Sequence, residues 1–124
     1  MRQGSRRLLI IEDNVDAADS LRDLLELDGH EVAVAYAGPD GIARAHEFGP
    51  DVVLCDIGLP GMNGYEVART FRSHPALAHM HPVALSGHAL PEDLERATES
   101  GFEGHLAKPP SFEALESLLA DKLP

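Results

Sequence analysis

Residues 51–64 read Asp51-Val-Val-Leu-Cys-Asp56-Ile-Gly-Leu-Pro-Gly-Met-Asn-Gly64. The apolar run Val52–Cys55 ends on a carboxylate, Asp56, and turn formers follow at once in Gly58, Pro60, Gly61 and Gly64. A short continuous apolar run bounded by such residues reads as a strand buried on both faces. Asp56 then stands where the strand emerges into a loop. In parallel sheets that end is where ligands bind, although an Asp at this point also serves simply to cap the loop by accepting from nearby backbone N–H groups.

The neighbouring segments extend the pattern. Arg7–Ile11 is a second buried-strand run, and it ends on Glu12 and Asp13. Asn14 is placed to cap a helix in which Val15, Ala18, Leu21, Leu24 and Leu25 recur at helical spacing, with Gly29 past its end. Residues 31–37 alternate as a strand, Gly38–Gly41 reads as a turn, and Ile42–Phe48 as a short helix. After the strand at Asp56, a helix opened by Asn63 or Gly64 runs to about Arg72, with Val67, Ala68 and Phe71 inward. Residues 73–81 read as irregular. Pro82–Ser86 is a fourth strand, Pro91–Ser100 a helix ended by Gly101, and Glu103–Ala107 a fifth strand leading to Lys108. Ser111 caps a last helix with Leu115, Leu118 and Leu119 inside.

Strand and helix thus alternate five times. That order predicts an α/β domain with a parallel sheet covered on both faces. Right-handed crossovers bring the C-terminal ends of all strands to one edge. Glu12, Asp13, Asp56, Ser86 and Lys108 are delivered there. Three clustered carboxylates repel one another without a cation, and hard oxygen donors suit Mg²⁺. Lys108 supplies a point charge for a carboxylate or phosphoryl oxygen, and Ser86 a donor. A carboxylate beside Mg²⁺ is able to attack phosphorus and form an acyl phosphate. The residues by themselves therefore suggest phosphoryl transfer onto Asp56.

The set Glu12-Asp13, Asp56, Ser86 and Lys108-Pro109 resembles the receiver domain of two-component response regulators. So do the runs Leu-Leu-Ile-Ile-Glu-Asp-Asn, from Leu8 to Asn14, and Asp-Ile-Gly-Leu-Pro-Gly-Met-Asn-Gly, from Asp56 to Gly64. The resemblance spans Arg7 to about Leu123 and leaves residues 1–6 as a basic tail or linker end, with the receiver at 7–124. It implies a flavodoxin-like, doubly wound fold of strand order 2-1-3-4-5. It implies that Asp56 accepts a phosphoryl group from a phosphohistidine on a sensor histidine kinase or histidine phosphotransfer protein. Asp13 and Asp56 would ligate Mg²⁺, Glu12 through water, and the Gly58 backbone carbonyl would complete the set. Lys108 would hold a phosphoryl oxygen and its bond to Pro109 would be cis. Ser86 and His105 would be the switch residues, remodelling the face made by the fourth helix, fifth strand and fifth helix for a downstream effector. Gly58 and His88 fall at variable positions flanking the site.

Composition bounds the alternatives. One cysteine among 124 residues excludes an internal disulfide and a multi-cysteine zinc site. The net charge of −11 argues against nucleic acid as a main partner. No apolar run approaches the roughly 20 residues that span a bilayer. The expectation is a cytoplasmic monomer or weak dimer. Arg2, Arg6 and Arg7 read as a solvated lead-in, Cys55 as a small buried hydrophobe, and His79-X-His81, with no carboxylate beside it in sequence, as loop. A turnover phosphatase of the haloacid dehalogenase type needs an Asp two residues past the nucleophile, where Gly58 stands. A flavin carrier needs a neutral phosphate loop where Glu12-Asp13 stand. Two readings stay beside the free regulator: the C-terminal receiver of a hybrid histidine kinase, and a docking module independent of phosphorylation. The chain's end at Pro124, right after the last helix, is expected of a free single-domain regulator or of the terminal receiver of a hybrid kinase.

Overall fold

The computed structural model describes residues 6–87 and 90–122, with side chains to residue 120. Its strands are β1 (Arg7–Ile11), β2 (Glu31–Ala35), β3 (Val52–Asp56), β4 (His81–Ser86) and β5 (Gly104–Ala107). Its helices are α1 (Val15–Leu27), α2 (Gly38–Phe48), α3 (Gly64–Ser73), α4 (Pro91–Ser100) and α5 (Phe112–Lys122). The strands form one parallel sheet in the order β2-β1-β3-β4-β5. The fold is the flavodoxin-like α/β sandwich expected.

Successive strand side chains point to opposite faces, and β1 shows what this does. Leu9 and Ile11 join Val53, Cys55 and Ala84 under α2, α3 and α4, where Ala45, Val67, Phe71 and Ala97 close over them. Leu8 and Ile10 join Val52, Leu54, Val83 and Leu85 on the other face, beneath Ala18, Leu21 and Leu25 of α1 and Leu115 and Leu119 of α5. Each such fully buried aliphatic side chain contributes roughly 1.5–3 kcal/mol. The sheet therefore carries two cores and needs no other staple. Cys55 is one of the wholly buried side chains, and burial pushes its thiol far above the usual range.

The helices start and stop where side chains and backbone allow. Asn14 accepts from the Ala17 amide at 3.0 Å. Asn63 and Glu66 form a reciprocal capping box at 3.0 and 3.1 Å, which seats α3 directly after the loop that follows Asp56. Gly64 is the tightest point of that loop. A Cβ there would lie 2.5 Å from the Asp56 carbonyl oxygen and from the Ile57 Cα.

Several expectations need correction. Gly38–Gly41 is the first turn of α2, not a separate turn. β2 stops at Ala35, and Tyr36 turns outward to donate to Asp19 at 2.9 Å. β5 starts at Gly104, one residue later than read. Val15 is 48% exposed, because the first residue of α1 lies past the edge of the sheet core. The 73–81 segment holds a short 3₁₀ turn, Pro75–Leu77, and yields His81 to β4. Arg7 is engaged: its guanidinium lies over the Phe48 ring at 4.3 Å, donates to the Phe48 carbonyl and pairs with Glu31 at 3.3 Å. The Arg6 backbone also joins the sheet, its carbonyl accepting from the Glu31 amide at 2.9 Å.

Candidate functional site

Four of the five strands, all but β2, carry a part of the site to the same edge. β1 extends by one residue, the Glu12 amide donating to the Ala35 carbonyl at 3.0 Å. Glu12 is thereby drawn into the interior and only 2% exposed. Its Oε2 accepts from the Asn14 amide at 3.0 Å and its Oε1 from the Lys108 ammonium at 2.7 Å. Burial is the largest influence on this carboxyl and raises it above its usual range of 4.5, against the opposing pull of Asn14 and Lys108.

Asp56, the last residue of β3, is likewise buried. Its Oδ1 accepts from the Gly58 amide at 2.8 Å and its Oδ2 from Lys108 Nζ at 3.0 Å. Lys108 therefore bridges two carboxylates that lie far from it in sequence. Burial alone would lower the ammonium, but the hydrogen bonds to Glu12 and Asp56 prevail and hold it above its ordinary 10.5. The Lys108 amide donates to the Ser86 carbonyl at 2.8 Å, and the Lys108–Pro109 bond is cis. The ammonium is held over the end of β3 by its contacts with Glu12 and Asp56.

Asp13 stays exposed beside this pair. One oxygen each from Glu12, Asp13 and Asp56 lies within 4.8 Å of the others. Three hard anionic donors around one point, with one ammonium among them, match a small divalent cation that keeps its waters. Of Gly58 the structure shows the amide in use, donating to Asp56.

Ser86 ends β4 with 3% exposure, and its Oγ lies 2.7 Å from Nε2 of His105 on β5. Sequence reading named both residues but had no signal for a direct contact between them. It also took Asn14 for a helix cap alone, whereas its amide anchors Glu12. A groove of about 470 Å³ beside Lys108, lined by Ala17, Leu21, Leu24, Pro109 and Pro110, was not foreseen either. It forms because α1 and the loop into α5 approach only in three dimensions. His81 is not solvated loop: its Nδ1 lies 2.8 Å from Oε1 of Glu103, the residue before β5. Among the described residues no other trio of His, Cys, Asp or Glu converges as the site does. His88 lies outside the described residues.

The profile of the response regulator receiver domain family matches residues 8–120. The polar-differentiation response regulator DivK of Brucella ovis is 33% identical over 121 residues, covering 94% of this chain and 98% of that one. Chemotaxis protein CheY4 of Vibrio cholerae superposes with a TM-score of 0.90 at 25% identity, over 96% and 99% of the two chains. The receiver domain of sensor histidine kinase PA1611 from Pseudomonas aeruginosa PAO1, solved with a magnesium ion in its active site cleft, gives 0.85 at 26% identity over 94% and 96%.

Proposed function

Because this chain belongs to the response regulator receiver domain family, we propose that its Asp56 is the phosphoacceptor of a two-component relay. The observation that carries this is the Lys108 ammonium held between Glu12 and Asp56, with Asp13 alongside. Asp56 attacks the phosphorus of a phosphohistidine; the P–N bond breaks, its electron pair returns to the ring nitrogen, and the imidazole leaves as neutral histidine by taking one proton from solvent. The Gly58 amide fixes one Asp56 oxygen and so aims the carboxylate. Lys108 exchanges its contact with Asp56 for one with a phosphoryl oxygen and neutralises charge as it moves. Glu12, Asp13, Asp56 and the Gly58 carbonyl would hold Mg²⁺, which supplies further charge neutralisation when bound. Ser86 donates to the transferred group.

The donor is a histidine kinase or a phosphotransfer protein, reaching Asp56 past the groove that Lys108 shares with α1. The output surface is the α4–β5–α5 face, where Leu90 and Phe112 are exposed, 59% and 36%. No helix among the described residues is long and apolar enough to cross a membrane, and we place the domain in the cytoplasm as a monomer or weak dimer. It acts as a signalling domain; self-phosphorylation from small acyl phosphates and self-dephosphorylation are the only reactions assigned to it. Incubation with acetyl phosphate and Mg²⁺ should add about 80 Da, the mass of one phosphoryl group. The gain should vanish in Asp56→Asn. A gain that persists in that variant refutes the assignment.

A further inference from the structure

Ser86 and His105 are not register partners. Ala84 stands opposite His105, and Ser86 opposite Ala107. The imidazole thus reaches diagonally along one face of the sheet to a buried hydroxyl, 2.7 Å away. Among the described residues His105 has no other hydrogen-bond partner and no ion pair. His105 is exposed, and among the described residues no group beyond Ser86 fixes its tautomer.

A hydroxyl has one proton to give. When Nε2 is bare, Ser86 donates to it, and that proton is held away from Asp56. When Nε2 carries a proton, it donates to Oγ instead, and the Ser86 proton is released toward the acceptor. A phosphoryl group on Asp56 brings up to two negative charges and three acceptor oxygens. It demands the Ser86 proton and therefore selects a His105 that donates through Nε2. The neutral Nε2–H tautomer and the imidazolium both meet that demand, but only the imidazolium adds a positive charge facing the new anion, which favours proton uptake.

We infer that His105 is a positioning residue that decides which way the Ser86 proton points, so that loading Asp56 with a phosphoryl group is coupled to proton uptake by the His105 imidazole. The inference rests on the acceptor role proposed above for Asp56.

Among the described residues, the charged groups on the elements packed against His105 are either tied to other partners or exposed. On β4 the titratable side chain is His81, at the far end and paired with Glu103 of the β5 approach. Beyond β5, Lys108 is tied to Glu12 and Asp56. On α4, which covers this face, Asp93 caps the Leu90 amide and Arg96 lies over Tyr65, while Glu92, Glu95 and Glu99 are exposed. Glu113 and Glu116 of α5 are exposed too, on the helix of the opposite layer. All of these are present in the loaded and the free protein alike. The difference between the two states is the phosphoryl group.

Proton uptake on loading favours the loaded form as pH falls through the imidazole range. The test measures the loaded fraction with acetyl phosphate and Mg²⁺ from about pH 6 to about pH 8, in wild type, His105→Gln and His105→Phe. Wild type should lose loading with rising pH, by about threefold to tenfold relative to His105→Gln, a tenfold change being one pH unit of linkage. The Gln side chain donates to Ser86 at every pH, so that variant should load well and without the step. His105→Phe, which has no donor, should load less than His105→Gln at all pH values. In parallel, the His105 ring resonances should titrate at higher pH with beryllium fluoride and Mg²⁺ bound than without. Identical pH profiles for wild type and His105→Gln, an unmoved ring titration, or rescue by Phe but not Gln each overturn the inference. If wild type gains no mass at any pH, the acceptor assignment itself fails, and the inference with it.

Discussion

Glu12 gives one oxygen to Lys108 and the other to the Asn14 amide while almost wholly buried. Its proton affinity in the folded protein exceeds that of the unfolded chain, because burial outweighs its partners. The stability it contributes is therefore complete below about pH 4.5, and is lost as pH rises through the raised value. Lys108 is also raised, so its contribution is complete below about pH 10.5 and is lost only above that, at the raised value. In a chelator, the difference in thermal midpoint between wild type and Glu12→Gln should show one step that lies above about pH 4.5, where the raised carboxyl ionises. The variant should gain relative to wild type as pH rises. A difference that stays flat would show that burial does not raise the Glu12 carboxyl. The identities of Glu12, Asp13, Asp56 and Lys108 were legible in the chain, since each follows an apolar strand run. The ammonium bridge was not, because it joins residues 96 and 52 positions apart.

The α2 helix shows what composition conceals at the level of an element. Gly38-Pro39-Asp40-Gly41 has the makeup of a turn. Yet Pro39 and Asp40 sit in a first helical turn, where a missing N–H costs little and an acid favours the dipole. Gly41 is required by packing: a Cβ there would lie 2.4 Å from Ile11 Cδ1 in the core. Gly41→Ala should lower unfolding free energy by about 1–3 kcal/mol through overpacking. Ile11→Val, which removes the nearest clashing methyl, should restore part of that loss. Denaturant unfolding of both single variants and the double variant measures the coupling. Simple additivity would place the cause outside this contact. The strands were read well because continuous apolar runs survive any tertiary context. The helix start was misjudged because the reason for Gly41 lies on a strand distant in sequence, at Ile11 of β1.

At the scale of the whole molecule, the parallel order β2-β1-β3-β4-β5 places β1 and β3 side by side at the centre. Their C-terminal carboxylates become neighbours, and β4 and β5 bring Ser86 and Lys108 to the same edge. Gathering three acids stores repulsion that a divalent cation relieves, so binding should stabilise the fold. At a Mg²⁺ concentration about 100 times its dissociation constant, the gain should be about 2.7 kcal/mol. Asp13→Ala, which removes an exposed donor without touching the core, should blunt most of that gain. Thermal unfolding with and without Mg²⁺ tests this, and an undiminished response in the variant would remove Asp13 from the donor set. Because metal binding competes with the Glu12 proton, the gain should grow with pH through the Glu12 range.

The chain alone determined five strand–helix units, a covered parallel sheet and the polar residues that meet at one of its edges. Those follow from local causes: apolar period, capping residues and turn chemistry act within a few positions of one another. The tertiary structure decided the Lys108 bridge, the burial that raises Glu12, the Gly41–Ile11 contact and the hydrogen bond between Ser86 and His105. Each is a distance between strands or layers, and such distances are set by crossovers and packing that no local stretch encodes.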